Sequence, residues 1–303
     1  MKARLLTGFS YVVVLIGFFC LKIFVNDFLF DLLIFAFAMC GTFEMLRAFK
    51  AQLNTAQKAT VYAFAAASLI VYSVLDLLCM EYSLIGKAAV YELTGLVFVA
   101  GIAVLAGILV IDHERTSLEG TGYALLSYLY PTAFLHVLMA CNHLSARSDA
   151  AILIIFFVCP VADSLAFVFG KLFGKKLPTK MSPTVSPNKT VIGGLGGLFG
   201  GAVGAVAAYF IYFGLCVPLD AGSFSAVSFP WWELAVYITL GIVAAAFAQF
   251  GDLVESAVKR KLGLKDMGKL LPGHGGVMDR IDSTLYASLV VYLVFLLRII
   301  LCF

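Results

Sequence analysis

The 303-residue chain is poor in charge. Asp, Glu, Lys and Arg make up only 13% of it and hydrophobic residues 62%. Soluble domains carry about 25% charged residues, so a soluble core is excluded. Histidine is scarce as well, with four in the chain. The seven cysteines form no CxxC pair and no Cys/His cluster, which removes a zinc site and a disulfide framework from consideration. Ten-residue segments of alternating polarity, the mark of a transmembrane barrel, are missing. The chain instead repeats apolar runs of 18 or more residues, each long enough as a helix to cross a hydrocarbon core of about 30 Å.

These runs predict an all-α integral membrane protein with about nine transmembrane helices, at roughly 5–24, 28–43, 60–80, 90–111, 123–141, 150–170, 191–214, 232–250 and 284–302. The first run has a basic start like a signal peptide but lacks a small-residue cleavage site, so it reads as a retained helix. With nine spans, 17 of the 21 Lys and Arg fall on the side of the N-terminus and 4 on the other. Cytoplasmic loops hold the basic excess, so the N-terminus is expected in the cytoplasm and the C-terminus outside. Residues 1–145 read as an N-terminal set of helices. Residues 146–303 read as a catalytic region with cytoplasmic loops 171–190 and 251–283.

Run seven carries glycines at 193, 197 and 201 and again at 196, 200 and 204. No Lys-Ser or Lys-Thr follows, as a P-loop requires. Small residues at helical spacing in an apolar run let helix backbones approach closely, within one chain or between two copies, so a homodimer stays open. Asp31, Asp76 and Glu92 fall in or near spans; interfacial positions account for Asp31 and Glu92.

Two polar stretches carry chemistry. Asp163 lies about two helical turns before Lys171, and the stretch runs on into Ser186-Pro187-Asn188-Lys189-Thr190. An acid within a span that opens onto a lysine-rich loop suits a phosphorylated headgroup at the interface. The second stretch, Gly251–Ser283, is denser. Ser256, Lys259 and Arg260 share a face if helical, as do Asp279 and Asp282, and Asp252 ends the preceding span. Carboxylates converging from separate elements suit an oxygen-liganded cation such as Mg²⁺, with substrate phosphates filling its other positions. Gly273, Gly275 and Gly276 around His274 allow positive φ and close backbone approach, and the bases offer an electrostatic clamp for a phosphoryl group.

The run from Ser256 through Lys259-Arg260, Lys265-Asp266, Pro272, His274-Gly275-Gly276 and Asp279-Arg280 to Asp282 resembles the pattern of the phosphatidate cytidylyltransferase (CDP-diacylglycerol synthase) family. The upstream Asp163-Ser164-x-Ala166-Phe167-x-x-Gly170 and Ser186-Pro187-x-Lys189-Thr190 resemble it too. Phe167 stands where the family usually has Tyr, and Asn188 where it often has Lys.

The resemblance implies CTP and phosphatidate as substrates, CDP-diacylglycerol and pyrophosphate as products, and an inner (plasma) membrane enzyme working on its cytoplasmic side. It implies Mg²⁺, with or without a second cation, held by Asp252 and Asp279 with Asp282 close by. Lys259, Arg260 and Lys265 are then expected at substrate phosphates, with Ser256 as a hydroxyl contact and Asp266 orienting the lysines. His274 either donates to the leaving pyrophosphate or shapes the turn with Gly275 and Gly276. Asp163, Ser186 and Lys189 are expected in the wall receiving the lipid phosphate or the nucleotide. No nucleic-acid partner is implied. A polyprenol kinase or an archaeal-lipid cytidylyltransferase uses similar chemistry. An ion-coupled transporter fits less well, because its charges lie near the midplane within inverted repeats.

Overall fold

The computed structural model describes residues 2–80, 82–145, 147–176, 178–222, 227–271, 273 and 275–301, with side chains from residue 8 onward. Six helices come first: α1 (Lys2–Phe24), α2 (Phe28–Ala48), α3 (Thr55–Met80), α4 (Lys87–Ile111), α5 (Leu118–Asn142) and α6 (Ser148–Phe173). A hairpin of β1 (Lys180–Ser182) and β2 (Ser186–Thr190) follows, then α7 (Val191–Ile211), which runs on through a π turn to Asp220. The last two helices are α8 (Trp231–Lys261) and α9 (Met278–Ile300).

Among the described residues, eight helices are long and apolar enough to cross a membrane, and Gly8–Phe24 of α1 forms a shorter apolar helix. The protein is an all-α integral membrane protein. Its helices overrun the apolar windows at the polar stretches. The expected loop 251–283 narrows to 262–277, because α8 continues to Lys261 and α9 starts at Met278. The charged end of α8 stays helical with support from a Glu255–Lys259 pair at i,i+4, 2.7 Å apart. The hairpin within 171–190 was not expected from the sequence.

The chain forms two compact units. One is Met1–Met139 with Asp266–Asp279, and the other is Ala140–Lys265 with Arg280–Phe303. In the first unit α2 packs on α1 and α3, and α3 on α4. The entry to α3 is set locally: the Asn54 side chain accepts the Gln57 N–H at 2.8 Å and the Gln57 side chain accepts the Asn54 N–H at 3.1 Å, a capping box. Two acids inside apolar helices have partners. Asp31 is buried and accepts a hydrogen bond from Ser73 at 2.6 Å, and buried Asp76 pairs with Lys87. Burial without a partner would cost several kcal/mol.

In the second unit α7 lies between α6 and α8. Its glycines are spent inside the chain: a Cβ at Gly201 would sit 2.4 Å from the Gly241 carbonyl oxygen on α8, and one at Gly204 would sit 2.7 Å from the Phe157 carbonyl oxygen on α6. Buried Glu233 at the start of α8 accepts hydrogen bonds from Arg298, at 2.8 Å to each carboxylate oxygen, and also pairs with Arg147.

Candidate functional site

In the second unit, the end of α6, the hairpin, the start of α7 and the middle of α8 enclose a cavity of about 560 Å³. The sequence builds it simply. A polar Lys-Pro-rich stretch ends α6, and a short antiparallel pairing (Lys180 with Thr190, Ser182 with Ser186) turns the chain back. Thr190 then caps α7 by accepting the Gly193 N–H at 3.1 Å. That cap leaves the positive end of α7 at the cavity, where Thr190, Gly193 and Gly194 are lining residues. Helix N-termini of this kind bind phosphates. Lys171 and Lys189 add two cations to the same wall. Replacing Thr190 by Ala is expected to destabilise the protein by about 1 kcal/mol, the usual value of such a cap, read as a lower melting temperature in detergent.

The acids meet these bases. Asp163 of α6 and Asp252 of α8 both line the cavity, and Lys189 pairs with Asp252. Asp163 lies within electrostatic range of Asp252, Asp282, Lys189 and Arg280. Asp282 approaches Asp252 because α8 and α9 touch at a glycine: a Cβ at Gly251 would sit 2.6 Å from the Asp282 carbonyl oxygen. Asp282 itself is buried, accepts the Ser283 N–H at 2.6 Å and is hydrogen-bonded to Glu255.

Among the described residues, no three His, Cys, Asp or Glu side chains stand close enough to hold a metal unaided. Mg²⁺ does not require that. It is commonly bound through one or two carboxylates, with waters and substrate phosphates completing an octahedron. Asp163 and Asp252, lining the same cavity as Lys171 and Lys189, fit such an ion by donor chemistry.

Asp279 belongs to the first unit. Its Oδ2 accepts two backbone N–H groups, from Met267 at 2.9 Å and Gly276 at 2.8 Å, so the carboxylate has a fixed orientation. The preceding turn closes where the Leu271 N–H donates to the Gly275 carbonyl oxygen at 2.9 Å. Gly273 and Gly275 take φ of +79° and +84°, conformations that side chains rarely adopt. His274, the expected pyrophosphate donor, lies outside the described residues, as does Pro272.

Of the expected residues, then, Asp163, Lys189 and Asp252 line one cavity. Ser186 is a strand residue of the hairpin, half-buried and paired with Ser182. Ser256, Lys259 and Arg260 do not line the cavity: Ser256 donates to Asp252 at 3.3 Å, Lys259 binds Glu255, and Arg260 Nε donates to the Val185 carbonyl oxygen at 3.3 Å. Lys265 and Asp266 are exposed, and Gly276 is buried. Ser164, next to Asp163, donates to the Pro160 carbonyl oxygen of its own helix at 2.7 Å.

Three polar residues have no role in the sequence patterns, although Glu255 falls within the acidic 251–283 stretch. Gln249 lines the cavity and donates to the Gly194 carbonyl oxygen at 3.2 Å. Glu255 is buried beside Asp282, and Glu44 is buried in α2. Each is a polar side chain in or at the end of an apolar run, the same signal that drew attention to Asp31 and Asp76.

These features describe a membrane protein with an acid- and lysine-lined cavity at a helix N-terminus. The chain belongs to the cytidylyltransferase family, whose profile matches residues 2–298. It is 34% identical over 186 residues to the phosphatidate cytidylyltransferase of Staphylococcus saprophyticus, which covers 60% of this chain and 62% of that protein. It is 34% identical over 187 residues to that of Staphylococcus haemolyticus, covering 60% of this chain and 62% of that protein. With that of Staphylococcus aureus it shares 38% identity over 137 residues, 45% of each chain. The chain thus matches less than two thirds of the length of these curated relatives.

Proposed function

We propose that the protein transfers the cytidylyl group of CTP to phosphatidate, giving CDP-diacylglycerol and pyrophosphate at the cytoplasmic face of a plasma membrane. The observation that carries this reading is a cavity in which the N-terminus of α7, Lys171 and Lys189 stand with Asp163 and Asp252, in a chain of the cytidylyltransferase family. The names of the relatives support phosphatidate as the acceptor. The basic excess of the N-terminal side supports the orientation.

In this reading an oxygen of the lipid phosphate attacks the α-phosphorus of CTP, the bond from that phosphorus to the bridging oxygen breaks, and pyrophosphate leaves. The nucleophile is already an anion, so no general base is required, and the protein's part is positioning and charge neutralisation. Lys189 and Lys171 hold phosphate oxygens, and the positive end of the α7 dipole adds to their field. Lys189 is paired with Asp252 in this structure, so phosphate binding exchanges one anionic partner of its ammonium for another. Asp163 and Asp252 would hold Mg²⁺, and the family pattern implies that Asp279 and Asp282 also serve the reaction. When bound, the ion neutralises charge on the triphosphate and the leaving pyrophosphate.

Purified protein in detergent with phosphatidate, Mg²⁺ and CTP labelled at either the α- or the γ-phosphate tests this directly. The α-label is expected in the lipid and the γ-label in pyrophosphate, and chelation of the metal is expected to stop both. A lipid carrying the γ-label would make the protein a kinase. Absence of any metal-dependent cytidylyl lipid would overturn the proposal.

A further inference from the structure

Glu44 sits near the end of α2, in an apolar helix, and is only 1% exposed. Its carboxylate is engaged far along the chain: Oε1 accepts the Val277 N–H at 3.0 Å and Oε2 accepts the Met278 N–H at 2.8 Å. Met278 is the first residue of α9. The first N–H groups of any helix lack partners within it, and a carboxylate there is favoured by the helix dipole. Caps usually come from the residue just before the helix. This one comes from a different helix, 233 residues earlier.

The backbone around it is shaped to receive it. A Cβ at Gly276 would sit 2.3 Å from Glu44 Oε2, and one at Gly268 would sit 2.0 Å from Oε1. Both lie on backbone that passes directly over the carboxylate. Gly276 also donates its own N–H to Asp279 at 2.8 Å, and Met267, next to Gly268, donates to the same Asp279 oxygen at 2.9 Å. The two groups that orient Asp279 therefore belong to, or adjoin, the two glycines pressed against Glu44.

We infer that Glu44 is a positioning residue: its carboxylate clamps the backbone at Gly268 and at Gly276–Met278 so that the N–H groups of Met267 and Gly276 hold Asp279 in one orientation. This rests on Asp279 serving the reaction proposed above. Glu44 touches no reacting atom in this role. A neutral amide of the same size accepts one N–H and turns its NH₂ group toward the other, so Glu44→Gln removes half of the clamp and adds a donor-to-donor contact.

The test compares wild type, Glu44→Gln and Glu44→Ala in detergent by melting temperature, trypsin cleavage and steady-state kinetics. In Glu44→Gln the protein stays folded, and cleavage at exposed Lys265 and Lys269 becomes about tenfold faster as the segment opens more often. Its kcat falls about 10- to 100-fold, as for other residues that orient a metal-binding group. The Mg²⁺ concentration for half-maximal activity rises, the KM for CTP and phosphatidate stays near wild type, and Glu44→Ala shows the same pattern more strongly. A folded Glu44→Gln variant with wild-type cleavage, kcat and Mg²⁺ dependence overturns the inference. So does failure of both variants to fold, which would make Glu44 a purely structural residue. If wild type itself makes no cytidylyl lipid, the proposed function fails, while the cleavage rates still decide whether Glu44 clamps the segment.

Discussion

Asp279→Asn is expected to lower turnover by about three orders of magnitude, the scale seen when one preorganised electrostatic group is removed from a reacting phosphoryl or acyl centre, and to leave the protein folded and inserted. The structure separates these two outcomes. Asp279 uses its Oδ2 to accept the Met267 and Gly276 N–H groups, at 2.9 and 2.8 Å. The amide oxygen of Asn accepts both in the same way, so the turn keeps its hydrogen bonds. What Asn lacks is the charge, and with it the capacity to neutralise or hold a divalent cation. The check is the label-transfer assay beside a melting curve and gel filtration in detergent. Near-normal transfer of the α-label by a folded Asp279→Asn protein would remove Asp279 from the reaction.

The second large effect is on the fold. Gly201→Val is expected to destabilise the protein by about 3 kcal/mol or more, the upper range for overpacking, and to reduce the yield of monodisperse protein. A Cβ at Gly201 would meet the Gly241 carbonyl oxygen and the Ala245 Cβ, each at 2.4 Å, and a Cβ at Gly241 would meet the Gly201 carbonyl oxygen at 2.5 Å. These neighbours are mostly backbone, so α7 and α8 have to separate as whole helices. In lipid there is no hydrophobic gain to press them back together, because association depends on close van der Waals contact. The cavity wall would move with them, since Gly193 and Gly194 come from α7 and Gln249 and Asp252 from α8. Gly107 on α4 is the control. Nothing lies within 4 Å of a Cβ placed there, so Gly107→Ala should melt at or slightly above wild type, in line with the helix propensity of Ala over Gly. Equal melting temperatures for Gly201→Val and Gly107→Ala would show that the α7–α8 contact does not support the fold.

The spans were legible because the cost of placing polar groups in hydrocarbon acts residue by residue along the chain, and a hydropathy window reads it without knowing the tertiary structure. The glycine pattern of α7 was legible as a packing face for the same reason: helical spacing is a local property. Its partners were not. The same repeat serves contacts within a chain or between copies, and only the approach of Gly201 to Gly241 and of Gly204 to Phe157 assigns it to the interior of the second unit. The polar stretches were less legible. Hydropathy reports where the chain leaves lipid and says nothing of where a helix ends in water, so α8 outran its apolar window to Lys261. The hairpin of three and five residues is too short to show a period of two over Ser-Pro-rich sequence.

The division between sequence and structure falls at the same place in the candidate site. The amino-acid sequence alone determined that this is a helical membrane protein, that its charged residues gather in two polar stretches, and that Asp163, Lys189, Asp252, Asp279 and Asp282 lie in them. These are properties of composition and of neighbours a few positions apart. Tertiary structure alone decided that Lys189 reaches Asp252 across 63 positions, that Lys259 and Arg260 turn to Glu255 and Val185, and that Glu44 seats the start of the last helix from 233 positions away. Such pairings depend on how helices are stacked, and the steric fit that stacks them is written in side-chain volumes and not in any pattern read along the chain.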